Sequence, residues 1–187
     1  LSVTIGSRDA QRASDIAGEL GFGIRGVDNA TCAAESDVVI VAVPWDGHAA
    51  TLTDLREALA GRIVVDCVNP LGFDKQGAYA LAVEEGSAAQ QAAALLPDST
   101  VTAAFNNVSA ELLLDPDVDA IETDVLVLGD NREATDTVQA VVEVISGMRG
   151  IFAGRLRNAH QVEALTANLI SVNRRYKAHA GVRVTDV

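Results

Sequence analysis

A chain of 187 residues suits one globular domain, or one domain with a small annex, and can bury a substantial core. Hydrophobic residues make up 49% of it with only 4% aromatic, so that core should be Ala, Val, Leu and Ile, as in sheets flanked by helices. With 14 basic against 26 acidic residues the net charge is −12, which argues against a nucleic-acid partner or an anionic membrane surface and obliges any anionic ligand to find a local basic pocket.

Val3, Thr4 and Ile5 read as a strand that Gly6 and Ser7 end, and an Ala-rich helical pattern follows to Leu20. In a dinucleotide-binding βαβ unit, the end of the second strand reads the adenosine ribose, with an acidic residue for NAD or a basic one for NADP. Ser7 and Arg8 hold that position, and Arg12 lies one helical turn later. A guanidinium can fork onto a 2′-phosphate through two charge-assisted hydrogen bonds. The same pair also suits a solvated helix start.

Phe22 to Val27 reads as a short strand, and Asn29 as the cap of a brief helix through Ala34. Asp37 to Pro44 is a continuous apolar run, which predicts a strand covered on both faces and hence a parallel sheet. Ligands of open α/β sheets sit outside the carboxyl ends of the strands, so Pro44, Trp45 and His48 border the expected crevice, although His48 equally suits a surface helix cap. A helix through Leu52 to Leu59 leads to a second buried strand, Arg62 to Asp66, ending at Val68-Asn69-Pro70-Leu71. Residues 72–86 lack periodicity and predict a long loop over the sheet edge, a candidate wall of the site.

A helix over Ser87–Leu96 and a strand over Val101–Phe105 follow, the latter finishing at Phe105-Asn106-Asn107. After a helix over Ser109–Leu114 comes a strand over Asp124–Leu128. The next helix runs to Ile145 with Asp130 and Glu133 at capping-box spacing, and Gly147 ends it. Arg149 to Ala153 predicts a last short strand. Val162, Leu165, Leu169, Val172 and Tyr176 fall at steps of three and four, marking one long amphipathic helix over Asn158–Tyr176. Cys32 and Cys67 belong to no metal or disulfide pattern and read as buried thiols; no metal is expected. No run approaches the ~20 apolar residues of a membrane span and no basic leader precedes the first strand, so a cytoplasmic protein is expected.

The alternation of strands and helices predicts an α/β fold, a Rossmann-like, doubly wound and mainly parallel sheet. Its first βα unit is missing. No GxGxxG occurs, and Gly21-Phe22-Gly23 opens no helix. A sheet without that central strand would carry a slot between two unpaired edges, to be closed by a longer natural chain, by repacking or by dimerisation. Residues 1–110 are expected to form the NADP-binding part and 111–187 a small C-terminal α/β part.

Ile5-Gly6-Ser7-Arg8, Val41-Ala42-Val43-Pro44-Trp45, Val65-Asp66-Cys67-Val68-Asn69-Pro70-Leu71 and Ala104-Phe105-Asn106 resemble the NADPH-dependent reductases of the deazaflavin coenzyme F420. The end of the chain, Ala153-Gly154-Arg155-Leu156 through Leu165-Thr166 to Asn173 and Gly181, is similar to that family's last helix and tail. The resemblance covers the whole chain less the family's first strand, turn and helix, about 25 residues. It implies NADP and coenzyme F420 as cofactors, with the deazaflavin in a cleft between the two parts. Ser7, Arg8 and Arg12 match the 2′-phosphate clamp, and Val43 and Pro44 the wall beside the nicotinamide half. Asn69, Pro70, Phe105, Asn106 and Thr166 match positions lining the cleft. His160 and Ala164 stand where some archaeal members carry an arginine and a serine, near the deazaflavin tail.

Hydride transfer between two such rings requires position and dryness, with no obligatory acid, base or nucleophile, which agrees with a chain showing no triad. Two other readings remain: a reductase of the same fold with a flavin or another acceptor, and a catalytically impaired paralogue that assembles with a partner. A homodimer burying the long C-terminal helix is expected.

Overall fold

The computed structural model describes residues 1–187. Strand β1 (Thr4–Ser7) and β2 (Arg25–Asp28) form a parallel pair with Ser7 opposite Asp28, joined by helix α1 (Ala10–Leu20). Asp9 caps α1, its side chain accepting the amides of Gln11 and Arg12. The helix lies close on β2 because the facing position is Gly26, where a Cβ would stand 2.1 Å from the carbonyl carbon and oxygen of Ala13. Gly26→Ala therefore must push α1 off its strand, and a loss of about 2–3 kcal/mol in urea unfolding is expected; a change below about 0.5 kcal/mol would refute this packing.

Helix α2 (Asn29–Glu35) is capped by Asp28, not by the expected Asn29: the Asp28 carboxylate takes the amide and hydroxyl of Thr31. Strand β3 (Val38–Val41) then begins a five-stranded sheet. Helix α3 (Trp45–Leu59) starts immediately after Pro44 and is a full two turns longer at its N-terminus than the sequence predicts. Strand β4 (Ile63–Asp66) lies between β3 and β7 (Thr100–Ala103), all parallel, with Val39 opposite Val64 and Val64 opposite Val101.

The expected loop over residues 72–86 is in its first half a β-hairpin, β5 (Leu71–Asp74) and β6 (Gly77–Ala80), closed by an Asp74 carboxylate that accepts the amides of Gln76 and Gly77. Gly77 at φ +128° supplies the backbone that this turn needs. Helix α4 (Ala88–Leu95) follows, capped by Ser87. After the short α5 (Ala110–Leu114), strand β8 (Asp124–Gly129) enters antiparallel to β7, a reversal the sequence did not announce, and β9 (Arg149–Gly154) runs parallel to β8. Between them α6 (Arg132–Val142) is capped by Asn131, whose side chain accepts Ala134 N. Asp130, the expected cap, instead faces Arg155 at 3.5 Å. A single 3₁₀ turn leads into α7 (Ala159–Tyr176).

The sheet order is β3-β4-β7-β8-β9. Leu52, Leu59, Val64, Val101 and the alanines of α4 form one core, and Val65, Val125, Val127, Val138 and Val142 form another. Adjacent residues Val64 and Val65 point to opposite cores, so the sheet is covered on both faces, as in a doubly wound fold. The sheet also runs across the expected boundary at residue 110, since β8 and β9 extend it. No helix is long and apolar enough to cross a membrane.

β1 pairs only with β2, and β3 only with β4. Two strands that should flank a common neighbour thus belong to separate sheets, each with an unpaired edge. The expectation that β3 is covered on both faces also fails: Ile40, in the middle of its apolar run, is 47% exposed.

Candidate cofactor site

The carboxyl ends of β1, β3, β4 and β7 carry most of the predicted site residues. At the first of them, Ser7 Oγ accepts the amide of Asp9, which shapes the turn into α1. Arg8 and Arg12 are exposed. Arg25, Arg149 and Arg183 hold carboxylates, whereas Arg8 and Arg12 hold none. In a chain this acidic, two free guanidiniums one turn apart form a local donor set for an anion.

β3 leads to Val43, half-buried, and Pro44, exposed, before α3 begins. His48 lies one turn into that helix and does not border the crevice: it is fully buried. Its Nε2 stands 2.6 Å from Asp66 Oδ2 and its Nδ1 3.0 Å from Gln91 Oε1. It caps nothing, because Pro44 occupies the N-cap without a side-chain bond.

The ends of β4 and β7 are knotted together. Asn69 Nδ2 donates to the carbonyl of Asn106 (2.9 Å), Asn106 Nδ2 donates to the carbonyl of Val68 (3.2 Å), and Thr166 Oγ1 on α7 donates to the same Asn106 carbonyl (2.7 Å). The backbone reaches this arrangement through Phe105, a non-glycine residue at φ +65°. Left-handed strain of this kind, on the order of 1 kcal/mol, persists where the surroundings enforce it and clusters at functional sites. The amide groups are oriented by these donations, and both Oδ1 atoms, of Asn69 and Asn106, are left buried without a donor. Pro70 beside them is buried.

Thr166 also lines a cavity of about 360 Å³ with Leu169, Ile170 and Asn173 of α7, Asn107 and His179. His160, on the first turn of α7, is exposed. Cys32 and Cys67 are half-buried free thiols rather than fully buried ones; each donates to a backbone carbonyl, of Thr4 and Val41, and burial followed by the Asp66 charge pushes the Cys67 thiol up to about 12.

Three side chains in this region escaped the sequence reading. Asp66 is fully buried at the end of β4 and accepts the Val68 amide as well as His48. Gln91 bridges His48 and Glu85. Glu163 is 2% exposed, and its two oxygens accept the amides of Ala88 and Ala89 at the start of α4. Burial raises its pKa to about 7, against the pull of those two amides. The available signal was its position on α7, one turn from both Ala159 and Ala167, on the side that packs.

A family model described as NADP oxidoreductase, coenzyme F420-dependent, matches residues 2–70. The F420-dependent NADP reductase of Methanothermobacter marburgensis is 36% identical, over 99% of this chain and 88% of its own. The protein of the same name from Methanocaldococcus jannaschii is 34% identical over the same shares. Among solved structures, one titled a putative F420-dependent NADP-reductase from Arthrobacter sp. FB24 superposes with a TM-score of 0.83 at 25% identity, covering 98% of this chain and 88% of that one.

Proposed function

The chain belongs to the F420-dependent NADP reductases, and from that premise we propose how its residues divide the work of moving a hydride between NADP(H) and coenzyme F420. The two cofactors supply the chemistry, hydride passing between C4 of a nicotinamide and C5 of a deazaflavin, and the protein supplies position and a dry cleft. Ser7, Arg8 and Arg12 hold the 2′-phosphate. Val43 and Pro44 wall the nicotinamide side. Asn69, Pro70, Phe105, Asn106 and Thr166 line the cleft where the rings meet, and His160 lies toward the deazaflavin tail.

The observation that carries this assignment is the pair of buried carboxamide oxygens without donors on Asn69 and Asn106. Each such acceptor costs about 1–3 kcal/mol while unpaired. A carboxamide or an imide N–H completes it, and a nicotinamide and a deazaflavin each carry one of these groups. The free Arg8 and Arg12 fit the third recognisable group, a phosphomonoester. The chain works in the cytoplasm and as a homodimer, the latter reading supported by the C-terminal half of α7, where Val172 and Tyr176 are 39% and 72% exposed. Burying such a stripe against a second copy removes its apolar surface from water.

Following the deazaflavin absorbance with NADPH as reductant tests the reaction: bleaching at a rate proportional to protein is expected. No turnover with the deazaflavin, together with turnover of a flavin, would move the assignment to the related reductase. Failure to bind NADPH at low micromolar concentration in calorimetry would favour the impaired paralogue.

A further inference from the structure

Resting on that reading of the cleft, we infer that His48 is a buried imidazolium that positions both walls of the hydride site. The first ground is hydrogen-bond arithmetic. Both ring nitrogens face side-chain oxygens, Asp66 Oδ2 at 2.6 Å and Gln91 Oε1 at 3.0 Å. Gln91 is oriented by its own Nε2, which donates to Glu85 Oε2 at 3.2 Å, so the oxygen is the atom turned to His48. A neutral imidazole has one N–H and would set a lone pair against one of these acceptors; only the doubly protonated ring satisfies both.

The surroundings are built for a cation. The indole of Trp45 lies with its centroid 5.4 Å from that of the imidazole, tilted by 31°, within the range of a cation–π contact. The charged groups on the packed elements are Asp66 on β4, Glu85 just before α4 and Glu163 on α7, all acidic. Burial alone pushes the ring pKa down, and the hydrogen bond and charge of Asp66, then Gln91 and Glu163, carry the net shift upward.

The second ground is connectivity. His48 sits one turn after Pro44, behind the proposed nicotinamide wall. Asp66 Oδ1 accepts the amide of Val68 at 3.0 Å, and Val68 in turn accepts Asn106 Nδ2, whose own carbonyl takes Asn69 and Thr166. Glu163, one turn before Thr166, ties α7 to the start of α4. One charged ring thus connects the start of α3 to the Asn69–Asn106–Thr166 knot. His48 is fully buried behind the crevice, so the role inferred for it is that of a positioning residue. Its proton keeps the two walls in register, and its loss would leave the Asp66 carboxylate buried without a counter-charge.

Nitrogen-15 NMR of the ring in the unaltered protein reads the charge directly. Both ring nitrogens should stay protonated from pH 5 to beyond pH 7, well past the ordinary histidine value of about 6.5. A neutral tautomer at pH 7 overturns the inference whatever the activity. For the positioning role, His48→Gln should lower kcat by about tenfold to a hundredfold, the scale of a small misplacement of reacting groups. Its NADPH dissociation constant should stay within about threefold, because the adenosine end is held elsewhere. The unaltered enzyme should lose kcat at high pH as the ring gives up its second proton, and the variant should show no such decline. An unchanged kcat, or a loss confined to NADPH affinity, overturns the role. Asp66→Asn provides a second route to the same loss should His48→Gln not fold. If no deazaflavin turnover is seen in the unaltered protein, the cleft assignment and with it the positioning role fall, while the NMR result still decides the charge of the ring.

Discussion

Asp124→Asn should lower the free energy of unfolding at pH 7 by about 3 kcal/mol, the low end for breaking a buried ion pair. Asp124 is fully buried at the start of β8. Its Oδ1 accepts Arg149 Nε (2.7 Å) and Arg183 Nη1 (2.8 Å), and its Oδ2 accepts Arg149 Nη2 (2.6 Å) and the amide of Val184 (2.7 Å). Four donors on one carboxylate join β9, through Arg149, to the C-terminal tail. An asparagine keeps the shape but turns an NH2 group toward at least one of those donors. Both arginines are partly exposed, 40% and 38% for their side chains, and can rehydrate, which keeps the cost at the low end.

The pH dependence follows. The hydrogen bonds from Arg149, then those from Val184 and Arg183, outweigh burial and hold the Asp124 carboxyl well below the usual carboxylate range. A depressed folded-state pKa contributes stability that is present above the unfolded value of about 3.9 and is lost as pH falls through the folded one. Unaltered protein should therefore lose stability on acidification below about pH 4 more steeply than the asparagine variant. Urea titrations at pH 7 and pH 3 measure both quantities. A change under 1 kcal/mol at pH 7, or parallel acid limbs, would show that the tail is held by something else, such as the Val182 bonds to Thr123 and Asp124.

That tail illustrates what a single sequence withholds. Its residues carry no periodicity, and Asp124 reads as the first residue of an apolar strand; only the approach of three distant segments makes it a hub. The cluster around His48 has the same character. Asp66 looks like a strand end, Gln91 like a solvated helix position and Glu163 like one of many surface acids, until packing closes on them. The buried apolar run over Arg62–Asp66 was legible, because a strand at the centre of a covered sheet is apolar on both sides: β4 fell where expected. The hairpin at Leu71–Ala80 was not, since Gly, Ala, Asp and Lys dilute the strand preference of Phe73 and Tyr79 and the packing of β6 on α7 is a tertiary contact. Cap choice between Asp130 and Asn131 was undecidable locally, as either side chain can serve; Arg155 draws Asp130 away. The antiparallel entry of β8 depends on how the chain crosses residues 104–123, a matter of tertiary path and not of pattern. The strand, turn and helix that carry Arg8 and Arg12 were legible for the opposite reason: Val3 to Ile5, the Gly6-Ser7 break and the Ala-rich run after it form a local pattern.

With Arg8 in the proposed 2′-phosphate clamp, Arg8→Glu should separate the two cofactors. A charge-assisted hydrogen bond is worth about 1.5–3 kcal/mol, and reversing the charge adds repulsion against the 2′-phosphate, so a loss of about 2–3 kcal/mol is expected even at this exposed site. That is about 30- to 150-fold in NADPH affinity. The deazaflavin affinity should move by less than about twofold. Asp9 does not substitute as a ribose reader of the NAD type, because its Oδ1 is committed to the amides of Gln11 and Arg12 and the carboxylate is turned into the start of α1. If the guanidiniums carry the selectivity, NADH, which lacks the 2′-phosphate, should bind the variant no more weakly than the unaltered protein. Calorimetric titrations with NADPH, NADH and the deazaflavin in turn give the three constants. Equal losses for NADPH and the deazaflavin would mean that the β1–α1 unit had unfolded. Equal losses for NADPH and NADH would place Arg8 on a group common to both. Only a loss confined to NADPH, shrinking as salt is raised because the contact is solvent-exposed, is the signature of a 2′-phosphate clamp.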